Sequence, residues 1–146
     1  MQAKAAISRA PDWRAALDEV LAATRVDGDT DLAVLFASSH YAPNYDELVP
    51  CARAESGARR LAGCSGQGII GPEREVEGQP ALSLLRLSLP DCRVELAHVT
   101  QDALEGSAGL GRLGGVPLEE VNAWLVFADP FRMDIERLLG ALDASM

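Results

Sequence analysis

Positive charge is scarce in this chain. Lys4 is its only lysine, and the 13 lysines and arginines face 22 carboxylates, for a net charge of −9. Binding to a phosphate backbone needs a positive footprint, so the composition argues against a nucleic-acid binder, and the same acidity disfavours an anionic membrane surface. Long apolar runs are missing as well, and none approaches the roughly twenty residues of a membrane span. The three cysteines, Cys51, Cys64 and Cys92, are widely spaced and form no C-x-x-C pair, which excludes a disulfide framework and a zinc knuckle. Two histidines, His40 and His98, without acidic partners at helical spacing make a poor metal site. No metal or cofactor is expected. The N-terminus lacks the apolar stretch of a secretory signal, so the expected location is the cytoplasm. What the chain does have is 48% hydrophobic residues over 146 positions, enough for the core of one domain.

Residues 11–26 place Trp13, Ala16, Leu17, Val20 and Leu21 on one side at helical spacing, which predicts an amphipathic helix with Pro11 and Asp12 near its start. Residues 31–37, DLAVLFA, form a continuous apolar run of strand length, the pattern of a central strand covered on both faces. A second helix is expected over 45–60, with Asn44 available as a cap and Pro50 forcing a late start or a kink. Residues 61–65 read as a short strand with a glycine-rich exit at Gly66 and Gly68. Residues 81–89 and 93–99 approach apolar and polar alternation around a Pro90 and Asp91 turn, which predicts adjacent antiparallel strands. Residues 106–117 carry five glycines and a proline and read as a surface loop. A further buried strand is expected at 123–128, closed by Asp129 and Pro130, followed by a last helix from Asp134. The fold expected is α+β, a layered arrangement in which a mixed sheet of about five strands is flanked by about three helices. Residues 1–10 are expected to be a tail and 11–146 one domain.

Several groups suggest chemistry. Residues 109–114 spell G-x-G-x-x-G, but a dinucleotide site needs a strand before it and a helix after it, and here Pro117 follows a polar, loop-like stretch. Gly63, Cys64, Ser65 and Gly66 approach a nucleophile elbow, although Gln67 stands where the last glycine belongs and no clear helix follows. Cys64 is a candidate nucleophile with His40 or His98 as base. His98 alternates with Val94 and Leu96, a packing position. Ser38, Ser39 and His40 follow the strongest strand directly, where ligand crevices of open α/β sheets tend to lie. Asp129 also suits a capping carboxylate before the last helix.

Taken in order, DLAVLFASSHY at 31–41, LAGCSGQGIIG at 61–71, EREVEGQPALSLLRLSLP at 73–90 and LVFADPF at 125–131 resemble the N-terminal half of the FIST domain. The shared pattern is a strand ending in serines, a second ending in Gly-Cys-Ser, a glutamate before a serine-bearing strand, and a late Asp-Pro-Phe. The resemblance implies a bacterial sensory module rather than an enzyme, one that binds small molecules such as amino acids or related metabolites. The matching positions are Ser38, Ser39, His40, Gly63, Cys64, Ser65, Gly66, Gly68, Asp129 and Pro130, and they are expected to line one pocket. Family members continue into a C-terminal FIST portion, so the expected partners are that portion or a signalling output protein, and an uncovered apolar face would favour self-association. Two other readings stand beside this one: an acyl transferase or hydrolase using Cys64, Ser65 and His40, and a ligand-free scaffolding domain.

Overall fold

A computed structural model of the chain describes residues 1–106, 112–113 and 116–143. These residues form two compact units, 1–94 and 95–146. The first is built on strands β1 (Gln2–Ser8), β2 (Thr30–Ser38), β3 (Ala58–Gly66) and β6 (Leu82–Ser88), in the sheet order β1-β6-β2-β3. Helices α1 (Trp13–Ala23) and α2 (Tyr45–Ser56) lie on one face, and a hairpin of β4 (Gly68–Gly71) and β5 (Arg74–Glu77) packs on the other. β2 and β3 are parallel, whereas β6 runs antiparallel to both β1 and β2. The sheet is therefore mixed and the class α+β.

The apolar run of β2 explains its central place. Ala33, Leu35 and Ala37 face the helices and join Leu82 and Leu84 of β6, Ala16, Leu17 and Val20 of α1, and Leu48 and Ala52 of α2 in the main core. On the other face, Phe36 packs with Ile7 against Ile69, Val76 and Ala81, the contacts that seat the hairpin. The hairpin comes close because Gly71 has no side chain: a Cβ there would lie 2.5 Å from the Cβ of Ile7. Local capping sets the ends of α1. The Asp12 carboxylate accepts the N–H of Ala15 at 2.9 Å, and the Thr24 hydroxyl donates to the Val20 carbonyl at 2.7 Å. Asn44 makes no side-chain capping bond to α2, which starts at Tyr45 and continues through Pro50 to Ser56.

Three expectations are corrected. Residues 2–8 are not a tail, because their backbone pairs along the whole of β6 despite an unpatterned side-chain sequence. Residues 93–99 do not form a strand beside β6, since both edges of β6 are already taken by β1 and β2. His98 is accordingly exposed on irregular backbone rather than packed within a strand. Residues 123–128 also lie outside any strand. Instead Trp124 and Ala128 pack on the small core of the second unit, formed by Leu104, Leu138 and Leu142.

The second unit holds α3 (Gln101–Glu105), the two-residue strands β7 (Arg112–Leu113) and β8 (Val116–Pro117), and α4 (Ile135–Asp143). The Asp134 carboxylate starts α4 by accepting the N–H of Arg137 at 3.0 Å. Most of the glycine-rich loop, with much of the G-x-G-x-x-G run, lies outside the described residues. Among the described residues, no helix is long and apolar enough to cross a membrane.

Candidate functional site

The parallel register of β2 and β3 pairs Ala37 with Ser65 and Ser38 with Gly66, so the C-terminal ends of the two strands finish side by side. From this end the chain enters a 3-10 helix, Ser39–Asn44, and then α2. Ser39 and His40 are exposed on that turn. Ser38 is buried and fixes the start of β6: its hydroxyl accepts the N–H of Ala81 at 3.0 Å, and its own N–H donates to the Ala81 carbonyl at 2.9 Å.

Two phenols reach the same sheet end. The Tyr45 hydroxyl donates to the Ser38 carbonyl at 2.9 Å and also hydrogen-bonds the Ser65 hydroxyl. The Tyr41 hydroxyl donates to the Ala10 carbonyl just past β1, and nearby the buried Ser8 hydroxyl donates to the Glu19 carboxylate. Burial pushes both phenols up from the ordinary tyrosine range, so they act as donors at neutral pH. These polar groups were absent from the sequence-based candidates. A signal for two of them exists in the sequence: the chain has only two tyrosines, and both lie in the stretch from the end of β2 to the first residue of α2.

Within β3, Gly63 serves packing. Its φ is +147°, and a Cβ at this position would stand 1.8 Å from the Leu35 carbonyl oxygen of β2. Cys64 pairs with Phe36 and Ser65 with Ala37, so these neighbours point to opposite sheet faces. Ser65 thus meets Tyr45 on the helix side, and Cys64 projects from the hairpin side. Gly66 is half-buried opposite Ser38, and Gly68 opens β4 close to the Glu75 and Glu77 side chains.

Cys64 is exposed by area, yet the atoms crowding its sulfur push its thiol up from the ordinary range. The thiolate is the reactive form, so Cys64 in a Cys51→Ser, Cys92→Ser background should alkylate more slowly near neutral pH than a small free thiol. The pH dependence of iodoacetamide labelling checks this, and an activated nucleophile would react faster.

Asp129 and Pro130 lie in the second unit. The Asp129 carboxylate accepts the Phe131 N–H at 2.9 Å and its carbonyl accepts the N–H of Met133 at 3.0 Å, which is the capped turn expected before α4. The same unit carries an open, largely apolar groove of about 510 Å³ lined by Trp124, Val126, Leu139, Gly140, Leu142 and Asp143. Among the described residues no three histidine, cysteine or acidic side chains are grouped to hold a metal ion.

Residues 31–146 match the family model of the FIST N domain. The chain is also similar to two proteins of Mycobacterium tuberculosis, the uncharacterized proteins MT0656 and Rv0628c. It is 33% identical to each over 87 residues, which make up 58% of this chain and 23% of each relative. The chain thus spans about a quarter of the length of these curated relatives. No solved structure matches it significantly. With the family model matched from β2 through α4, the chain belongs to the FIST family, whose members are sensory domains of signal transduction.

Proposed function

We propose that this domain senses a small polar metabolite, an amino acid or a close relative, bound at the C-terminal ends of β2 and β3. The observation that carries this reading is the parallel register that sets Ser38 beside Gly66 with Ser39 and His40 exposed immediately beyond. Ligands of open α/β sheets bind outside the carboxyl ends of parallel strands. Backbone at Gly66 and the side chains of Ser39, His40 and Ser65 offer the donors and acceptors that a zwitterion needs. Ser38, Gly63 and Gly68 act in this reading by shaping the strand ends, and Cys64 borders the site from the other face. Asp129 and Pro130 belong to the second unit, where they shape the turn before α4.

A binding role is favoured over nucleophilic catalysis by two facts: burial disfavours the Cys64 thiolate, and Cys64 and Ser65 point to opposite faces. Occupancy would be passed to the C-terminal portion of a longer FIST protein or to an output partner in a bacterial cytoplasm, a setting that suits three free thiols. A cover of this kind, or self-association, would also account for the exposed Leu125, Phe131 and Leu139.

Thermal unfolding in the presence of an amino-acid and metabolite panel tests the reading. A ligand at a hundred times its Kd adds about 2.7 kcal/mol of stability. The expected result is a raised Tm with at least one compound, lost in Ser39→Ala, His40→Ala, whose ligand-free Tm is unchanged. A shift that persists in this variant would overturn the assignment of the site.

A further inference from the structure

We propose that Lys4, Arg25 and Arg86 form a binding site for a small oxyanion of the phosphate class, at the end of the four-stranded sheet where β2 and β3 begin. The site lies at the opposite end from Ser38 and Gly66, so it does not depend on the metabolite reading above. Arg86 stands on β6 opposite Ala33 of β2 on one side and Lys4 of β1 on the other, and these side chains leave the sheet face that α1 and α2 cover. Arg25 follows Thr24, the residue that closes α1. Burial, and then the nearby charge of Arg25, push the Arg86 guanidinium down from its ordinary range. Lys4 and Arg25 are exposed and Arg86 is half-buried. Like charges directly opposite one another across an antiparallel pair are destabilising. Here the only lysine of the chain stands opposite an arginine, with a second arginine close by.

Nothing on the protein neutralises this group. Asp29 and Asp31 pair with Arg59, and Asp31 also accepts the Leu89 N–H. Among the described residues, no carboxylate forms an ion pair with Lys4, Arg25 or Arg86. Helix ends offset part of the charge: Arg86 Nη2 donates to the Ser56 carbonyl at the end of α2, and α1 ends beside Arg25. A helix C-terminus carries about half a negative charge, so two of them leave about two of the three positive charges unmatched. The guanidinium is also short of acceptors. Its Nη2 has only the neutral Ser56 carbonyl and Thr30 hydroxyl, its Nε is buried without a partner, and its Nη1 makes no hydrogen bond and is not buried. Nη1 is therefore the donor open to a ligand, with Lys4 and Arg25 as exposed cations of the same group. A phosphate group suits them because its oxygens accept from several cations at once. The net charge of −9 argues against a long polyanion, so the ligand is small.

Thermal unfolding of the full chain near neutral pH, in sodium phosphate and in sodium chloride of matched ionic strength, tests the site. The expected result is a Tm that rises with phosphate and saturates. In Lys4→Gln, Arg25→Gln, changed at two exposed positions, the half-saturating concentration should rise about tenfold or more, as charge-assisted bonds are lost. In chloride this variant should be at least as stable as the parent, because a like-charge contact is gone, and in saturating phosphate less stable. A purely structural role for the two cations would lower the Tm of the variant equally in both salts and would overturn the proposal. Exclusion of phosphate from the protein surface would give a rise that does not saturate and is the same in both chains, which overturns it as well. Glycerol phosphate distinguishes the sources of the anion: saturation at a lower concentration than inorganic phosphate supports the site as one for a phosphorylated metabolite, and the reverse order supports it as one for free phosphate.

Discussion

Gly63→Ala is expected to cost about 4 kcal/mol or more, a large part of the 5–15 kcal/mol that holds a typical domain folded. A methyl group at this position would lie 1.8 Å from the Leu35 carbonyl oxygen and 2.7 Å from the carbonyl carbon, against an ordinary carbon-to-oxygen approach of about 3.3 Å. Two adjustments would relieve the clash, and both are obstructed. Keeping φ at +147° strains any residue with a side chain, and rotating β3 to a favoured φ would disturb the ladder that pairs Gly63 with Leu35. β2 cannot retreat either, since it is paired to β6 on its far side from Leu32 to Ala37. The strain therefore falls on the parallel ladder that brings Ser38 and Gly66 together. Urea unfolding followed by circular dichroism checks the loss. The comparison is Gly140→Ala in α4, where nothing lies within 4 Å of the added carbon and helix propensity favours alanine by about 0.5–1 kcal/mol. The same chemical change should then have opposite signs at the two positions. A stability of Gly63→Ala close to that of the parent chain would show that the close approach to Leu35 is not a constraint in solution.

The elements legible in the sequence are those whose signal is local. The unbroken apolar run of 31–37 reports a strand covered on both faces, and its place between β6 and β3 agrees. Asp12 and Asp134 mark helix starts because capping needs only a carboxylate within three residues of the donor it satisfies. Pairing is different, because alternation shows which side chains share a face but not whether a neighbouring edge is free. That is why 93–99 looks like a partner for β6 while the real partner is 2–8, whose alanines and lysine show no strand pattern. At the strand ends, the serines and His40 are visible because polarity changes abruptly after Ala37. The polar roles are not visible. The Ser38 hydroxyl is committed to Ala81, 43 residues away, and the Tyr45 phenol reaches back to the Ser38 carbonyl, bonds that follow from the crossover rather than from any local motif. Gly63 resembled part of a catalytic turn, yet its requirement is steric.

Leu84→Ala is expected to lower stability by about 3 kcal/mol, within the 2–5 kcal/mol found for leucine truncations in packed cores. Leu84 is fully buried at the middle of β6, opposite Leu35 of β2 on one side and Ala6 of β1 on the other, and under the α1 face formed by Ala16, Leu17 and Val20. Transfer of the missing methyl and methylene groups accounts for only part of the cost. The remainder is the cavity, which closes only if the surroundings move. Here they are held on three sides: β6 is paired on both edges, and the neighbouring Ala6, Ala16 and Ala33 are too short to swing into the space. For a unit of this size each kcal/mol corresponds to a Tm change of about 4–8 °C, so a fall of roughly 12–24 °C is expected. Leu139→Ala, at a position that is 53% exposed on α4, removes the same atoms from a partly solvated site and should stay within about 0.5 kcal/mol of the parent. Equal losses in the two variants would mean that the stability of this chain does not centre on the β6 to α1 interface. A large loss at Leu84 with an unchanged denaturant m-value would show that the cavity weakens a core that still unfolds as one unit.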